Sequence, residues 1–184
     1  ACGPKVPPAP PGAVIKIVWL CDLSGPASSA SIPEYEGHKA YEKYINEVLG
    51  GINGIPLKLL WGDMKYQVPL WLDFYKKFKA EKPLIFSGSF SAGMLATKEL
   101  LEEDKIPSIS TVSTLGQYDP PGWVVVAVPG YGDCVAAAAD WLLSNWKEDR
   151  PMRVAMFVAD VSYSRSSLSA IPYLQYRRGI EVVG

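Results

Sequence analysis

The chain has 184 residues, 48% of them hydrophobic and 20% charged, with a formal net charge of -1. This is the composition of a globular protein, of a length for one domain or one and a half. The charges are mixed, without a basic run or a basic–aromatic stripe, which argues against a nucleic-acid surface; no apolar run approaches the roughly 20 residues that span a bilayer.

In chain order, the first segment is ACGPKVPPAPPG, too rich in proline for helix or core. Residues 1–13 read as an extended tether. A cysteine at position 2 ahead of such a tether is the pattern of a processed bacterial lipoprotein, so Cys2 is the expected lipid-attachment residue. Three cysteines give no disulfide framework. Cys21 and Cys134 are expected to be small buried residues. With one histidine, His38, and no CxxC pair, neither a metal site nor a cofactor is expected.

VIKIVWL (14–20) is a solid apolar run, predicting a strand buried on both faces. The segment DLSGPASSASIP then reads as a loop. From Glu34 the period changes: Ala40, Tyr41, Tyr44, Ile45, Val48 and Leu49 recur at helical spacing until Gly50-Gly51. A second strand is predicted at 55–63 and a second amphipathic helix around Leu70, Trp71, Phe74, Tyr75 and Phe78. PLIF is a third strand, followed by a helix from about Ala92 to Asp104. IPSIS (106–110) and WVVVAV (123–128) are further strands, separated by a turn-rich loop. Asp133–Trp146 is a helix, RVAMFVAD (153–160) a strand and IEVV (180–183) another. Residues 164–178 are helical in pattern, with a kink or break expected at Pro172.

Alternating strands and helices of this kind predict an α/β fold with parallel sheets covered on both faces. The final strand reaches Gly184 without a closing helix, so the second α/β layer is expected to be truncated. Ligands of open parallel sheets bind outside the carboxyl ends of the strands. Ser and Thr cluster at two of those ends, 87–91 and 110–114, and a single serine, Ser162, stands at 160–163.

SGSFSAG (87–93) sits at one such end. As a nucleophile elbow, G-x-S-x-G, it has Ser89 at the first glycine position, and no histidine follows Ser91. A serine without a base is not activated. As a binder, Ser91 stands at a predicted helix start, where free N–H groups and the helix dipole favour an anion; simple N-capping is compatible with that role. PGYGDC (129–134) has the placement of a dinucleotide fingerprint, but Val135 occupies its third glycine position. Tyr163, past the strand that ends at Asp160, suits either a lid over a cleft or a cover for its own helix.

Taken in order, LSGPAS (23–28), EGHKAYEKYIN (36–46), GGINGIPLKLLWGD (50–63), GSFSAG (88–93), KIPSIS (105–110), VAVPG (126–130) and RVAMFVADVSYSRS (153–166) resemble type I periplasmic solute-binding proteins. The branch they are most similar to is the leucine/isoleucine/valine-binding one of ABC importers. The resemblance implies the type I periplasmic-binding-protein fold: two parallel-sheet lobes joined by three crossovers and closing by a hinge. The first lobe would be residues 14–130 and the start of an incomplete second lobe 131–184.

The resemblance also implies a function and a site. The function is that of an extracytoplasmic solute-binding component, periplasmic or lipid-anchored outside the membrane. It would take an amino acid or similar small carboxylate to an ABC permease, without catalysis. Ser91 and Thr114 fall on the positions that hold the ligand carboxylate, Ser113 and Val112 offer backbone groups, and Tyr163 lines the second lobe, with Ser164 in place of the usual glycine. Ala30 stands where an aromatic often approaches the ligand side chain. The residues that would hold an α-amino group lie beyond Gly184, which leaves amides, urea-like compounds and aromatic acids open. A ligand-sensing receptor domain of the same fold is the alternative, and a serine hydrolase a weaker one.

Overall fold

The computed structural model describes residues 10–183; Cys2 and most of the 1–13 tether lie outside them. Five strands, β1 (Ile15–Cys21), β2 (Leu57–Asp63), β3 (Ile85–Gly88), β4 (Ser108–Ser110) and β5 (Val124–Val126), form one sheet. Its order is β2-β1-β3-β4-β5, parallel throughout. The connection from β2 passes over β1 to β3, which creates a switch point between β1 and β3, the place where such sheets open a crevice.

Alternate residues of β1 serve two layers. Val18 and Leu20 pack with Trp71, Tyr75 and Phe78 of α2 (Val68–Lys79) and Met94 and Leu101 of α3 (Ser91–Asp104). Trp19 and Cys21 face the other way, with Leu59 and with Tyr35 of α1 (Ser28–Glu47). A strand used on both faces needs the continuous apolar run that the sequence shows. Each fully buried large side chain contributes about 1.5–3 kcal/mol, so the larger α2/α3 layer, with Trp71, Tyr75 and Phe86 almost fully enclosed, dominates the stability of this lobe.

After the one-turn helix α4 (Leu115–Tyr118) and β5, the chain enters a second unit: α5 (Tyr131–Ser144), β6 (Arg153–Val154), α6 (Ser162–Ser166) and β7 (Glu181–Val182). β6 and β7 pair in parallel, over a small core of Ala139, Met152, Ala170, Leu174 and Ile180. The predicted break at Pro172 separates a 3-10 turn (Ser167–Ala170) from a π-helical turn (Tyr173–Arg177).

Four expectations are corrected. The helix predicted from Glu34 begins at Ser28 and carries Pro33 inside it. Its start is held by the buried Asp22, whose carboxylate accepts from the Gly25 and Ala27 N–H groups at 2.6 and 2.7 Å, while Asp22 N–H donates to Ser31 Oγ at 2.9 Å. This local bonding outweighs the one bond that proline removes. Second, α1 turns its expected apolar stripe outward. Tyr41, Tyr44, Val48 and Leu49 are exposed, and only Ile45 of that set is buried. Glu42 and Asn46 point inward instead. Asn46 bonds both the N–H and the C=O of Leu57, each at 2.8 Å, and Glu42 accepts from Leu59 N–H at 2.7 Å. These side chains satisfy the open edge of β2, which apolar ones could not do.

Third, β6 is two residues long rather than eight, and Phe157 is 99% exposed. Among the described residues β6 pairs with β7 alone, so most of the run has no ladder to hold it extended. Fourth, Cys134 is exposed on α5, whereas Cys21 is buried as expected.

Candidate functional site

The segment SGSFSAG shapes the switch-point crevice. Gly88 ends β3 beneath Trp71: a Cβ there would lie 2.6 Å from the Leu20 carbonyl oxygen and 2.8 Å from the Trp71 ring. Only glycine lets the indole sit this deep. Trp71 is held by its Nε1–H, which donates to Thr97 Oγ1 at 3.3 Å. Ser89 Oγ donates to Glu34 at 2.6 Å, tying the β3 end to α1. Phe90 is extended and precedes the first residue of α3, Ser91. Ser91 is 3% exposed, yet its hydroxyl has no hydrogen-bond partner. The N–H groups of the first turn of α3 are likewise free of intrahelical partners.

A cleft of about 230 Å³ opens above Ser91. Tyr66, Phe90, Ser91 and Ala92 line it from the first lobe, Val161, Ser162 and Tyr163 from the second. Ser91 and Tyr163 therefore share one cavity. Tyr66 packs on Phe90 with ring centroids 4.4 Å apart, and Tyr131 meets Tyr163 edge to face at 6.2 Å. The lobes also touch through Leu115 N–H to Ser166 Oγ at 3.2 Å and Tyr131 N–H to Ser113 O at 3.3 Å.

The other candidates lie apart from this cleft. Ser113 lines a neighbouring hollow of about 330 Å³ with Tyr118, Gly130 and Asp133. Thr114 precedes α4 with its hydroxyl buried and unpartnered. Val112 bonds Ser110 Oγ through both its N–H and its C=O, at 3.3 and 2.7 Å. Ala30 lies in α1, exposed, and is not part of the lining. Asp160 pairs with Arg165 at 2.6 Å. His38 stacks on Trp19 at 4.0 Å, with Nδ1 2.6 Å from the Glu34 carbonyl; it makes no bond to Ser91.

Three residues of this region have no counterpart in the sequence reading. Tyr66 follows Lys65 in the turn after β2, with φ values of 56° and 50°. Phe90 sits inside the motif, where nothing in the spacing sets it apart from its neighbours. Gln117 is fully buried, with both amide atoms unpartnered. The nearest signal for Tyr66 is its place just past a strand end; nothing in the sequence marks Gln117.

Burial governs the local electrostatics. It pushes the Cys21 thiol up to about 12, helped by Asp63 and Asp22. It raises the Tyr66 phenol as well, with Tyr163 and Tyr131 next in effect. Tyr118 is raised by burial and by Asp133, and the nearby Ser113 hydroxyl pulls the other way. That hydroxyl nonetheless lacks a partner at full hydrogen-bond geometry. No charged side chain lines the cleft among the described residues, nor do these residues contain a His/Cys/Asp/Glu group placed to hold a metal. No described helix is long and apolar enough to cross a membrane.

The chain is similar to several solved structures. A branched chain amino acid ABC transporter protein from Thermus thermophilus with bound valine has a TM-score of 0.83 at 20% identity, covering 92% of this chain and 44% of that one. A fatty acid ABC transporter substrate-binding protein from Thermomonospora curvata has a TM-score of 0.82 at 19% identity, covering 92% and 43%. A solute binding protein of an ABC transporter from Rhodopseudomonas palustris BisB5, in complex with 3,4-dihydroxy benzoic acid, has a TM-score of 0.75 at 16% identity, covering 92% and 46%. The chain thus spans less than half the length of these structures. No curated protein sequence matches it. The likeness to the solved structures supports the type I periplasmic-binding fold. A family model described as periplasmic binding protein matches residues 14–184, and the chain accordingly belongs to the periplasmic binding protein family.

Proposed function

We propose that this chain is part of the extracytoplasmic solute-binding component of an ABC importer and holds an amino acid or similar small carboxylate between its lobes. One observation carries the reading: Ser91, which lines the inter-lobe cleft at the start of a 14-residue helix, keeps a buried hydroxyl with no intramolecular partner. An unsatisfied buried hydroxyl costs about 1–3 kcal/mol, a cost that a bound acceptor removes. The helix N-terminus adds N–H donors and the positive end of its dipole, which favour a carboxylate without a charged side chain. The ligands bound to the similar structures include valine and an aromatic acid, so the fold alone does not choose among carboxylates. Transfer to a permease, and closure of the lobes on the ligand, belong to the same proposal.

The test is a thermal-shift screen of the full-length protein with aliphatic and aromatic amino acids, aromatic carboxylates, short amides and urea. A ligand that binds only the folded state at a hundredfold excess over Kd stabilises it by about 2.7 kcal/mol. A clear shift from one chemical class is expected. A folded sample that responds to none of them would count against solute binding.

A further inference from the structure

Beside Ser91, the large side chains that line the cleft are aromatic. Tyr66 and Phe90 form a tilted pair on the first-lobe side, 4.4 Å between centroids. Tyr163 stands on the second-lobe side, braced edge-on by Tyr131 at 6.2 Å. Phe90 is fixed from behind, edge to face with the buried Trp71 at 5.9 Å. The first-lobe rings are thus packed from behind, whereas Tyr163 is 44% exposed.

Tyr66 is held at a cost. It has a φ of 56° directly after Lys65 at 50°, a left-handed pair in which a bulky residue is an outlier. Such a conformation costs on the order of 1–3 kcal/mol and persists where the surroundings over-determine it. Here it carries the phenol ring onto Phe90 and into the cleft. Burial, and then the neighbouring Tyr163 and Tyr131, raise that phenol.

We infer that the ligand is a planar, single-ring aromatic carboxylate, with its ring stacked between the Tyr66–Phe90 wall and Tyr163 and its carboxylate on Ser91 and the α3 N-terminus. This rests on the solute-binding reading and narrows it. Aromatic rings gain about 0.5–1.5 kcal/mol per pair beyond their area burial, whereas an aliphatic side chain gains only the area. The part of the cleft that this chain forms holds about 230 Å³, which is room for a single ring. Tyr66 is then a specificity-determining residue.

The decisive comparison is benzoate against cyclohexanecarboxylate, by calorimetry on the full-length protein. The two share a carboxylate and nearly a size, and differ in the π face. Benzoate should bind about 2- to 12-fold more tightly for each ring it stacks on. Tyr66→Leu should remove about one such factor for benzoate and leave cyclohexanecarboxylate unchanged. Tyr66→Gly, which suits the positive φ, secures the test if the leucine variant is poorly folded: its ligand-free thermal midpoint should hold while benzoate affinity falls. Equal affinities for the two acids, or an unaltered benzoate affinity in either variant, would overturn the aromatic assignment. An aliphatic amino acid that binds more tightly than any aromatic acid would overturn it too, while leaving the solute-binding reading intact. No binding by any carboxylate would sink both.

Discussion

At the scale of single residues, Ser91 and Gly88 show opposite economies. Ser91 keeps a hydroxyl buried and unpaired; Gly88 keeps a side chain out so that Trp71 can fill the space. Ser91→Ala should therefore weaken ligand binding roughly 10- to 100-fold, since a hydrogen bond to a charged group contributes about 1.5–3 kcal/mol. The same change should leave the ligand-free thermal midpoint equal or higher, because it removes an unsatisfied polar atom. Calorimetry and a melting curve on one sample read both. A fall in stability without a fall in affinity would make Ser91 a structural serine. Gly88→Ala should do the reverse. Its Cβ would meet the Leu20 carbonyl and the indole, and overpacking of this kind costs about 1–3 kcal/mol. A denaturation midpoint that does not drop in that variant would show that Trp71 is not locked.

At the scale of elements, the strands and most helices were legible because parallel strands buried on both faces need solid apolar runs, and β1 supplies one. The rotation of α1 was not legible. Its helical periodicity pointed Tyr41, Tyr44, Val48 and Leu49 inward, but an unpaired strand edge needs polar partners, and Glu42 and Asn46 provide them. Hydrophobic spacing does not encode that demand. The turn at Lys65–Tyr66 was hidden for a related reason: a positive φ at a non-glycine residue leaves no mark in composition. Ser91 and Tyr163 were visible from their place at strand ends, whereas Tyr66 became evident only through its contacts. The edge role of α1 has a measurable consequence. Asn46→Ala strips two hydrogen bonds from Leu57 and should destabilise the protein by about 1–3 kcal/mol. Tyr41→Ala, on the exposed side of the same helix, should change stability by less than about 0.5 kcal/mol. Urea denaturation of the two variants separates the readings; equal effects would mean that the tyrosine stripe, not the edge, anchors α1.

At the scale of the whole molecule, both lobes depend on carboxylates held below their ordinary range. In the first lobe, Asp104 is lowered by its bond to Lys79 and then by that to Tyr75, whose hydroxyl lies 2.5 Å away. Burial pulls Asp63 upward, but hydrogen bonds from Ser24, Leu23 and Lys65 outweigh it and hold it lowered. In the second, Asp140 is lowered by Arg178 and then Tyr173. A carboxylate depressed by folding adds stability above its unfolded pKa, and that stability is lost as pH falls through the folded value. Stability should thus be flat from neutral pH down to the ordinary carboxylate range near 4, then decline below it in both lobes together. Lys79 and Asp104 are partly exposed, and salt screens such pairs. Tyr75 is almost fully buried and packs edge-on against Phe86 at 5.1 Å, so its bond to Asp104 is the less screened of the two. Asp104→Asn should lower the thermal midpoint at pH 7, in low and high salt alike, and the gap to the parent protein should close as the pH approaches 2. A gap that stays constant with pH would mean that Asp104 acts through packing rather than charge. One that vanishes in high salt would place the stabilisation on Lys79 instead of Tyr75.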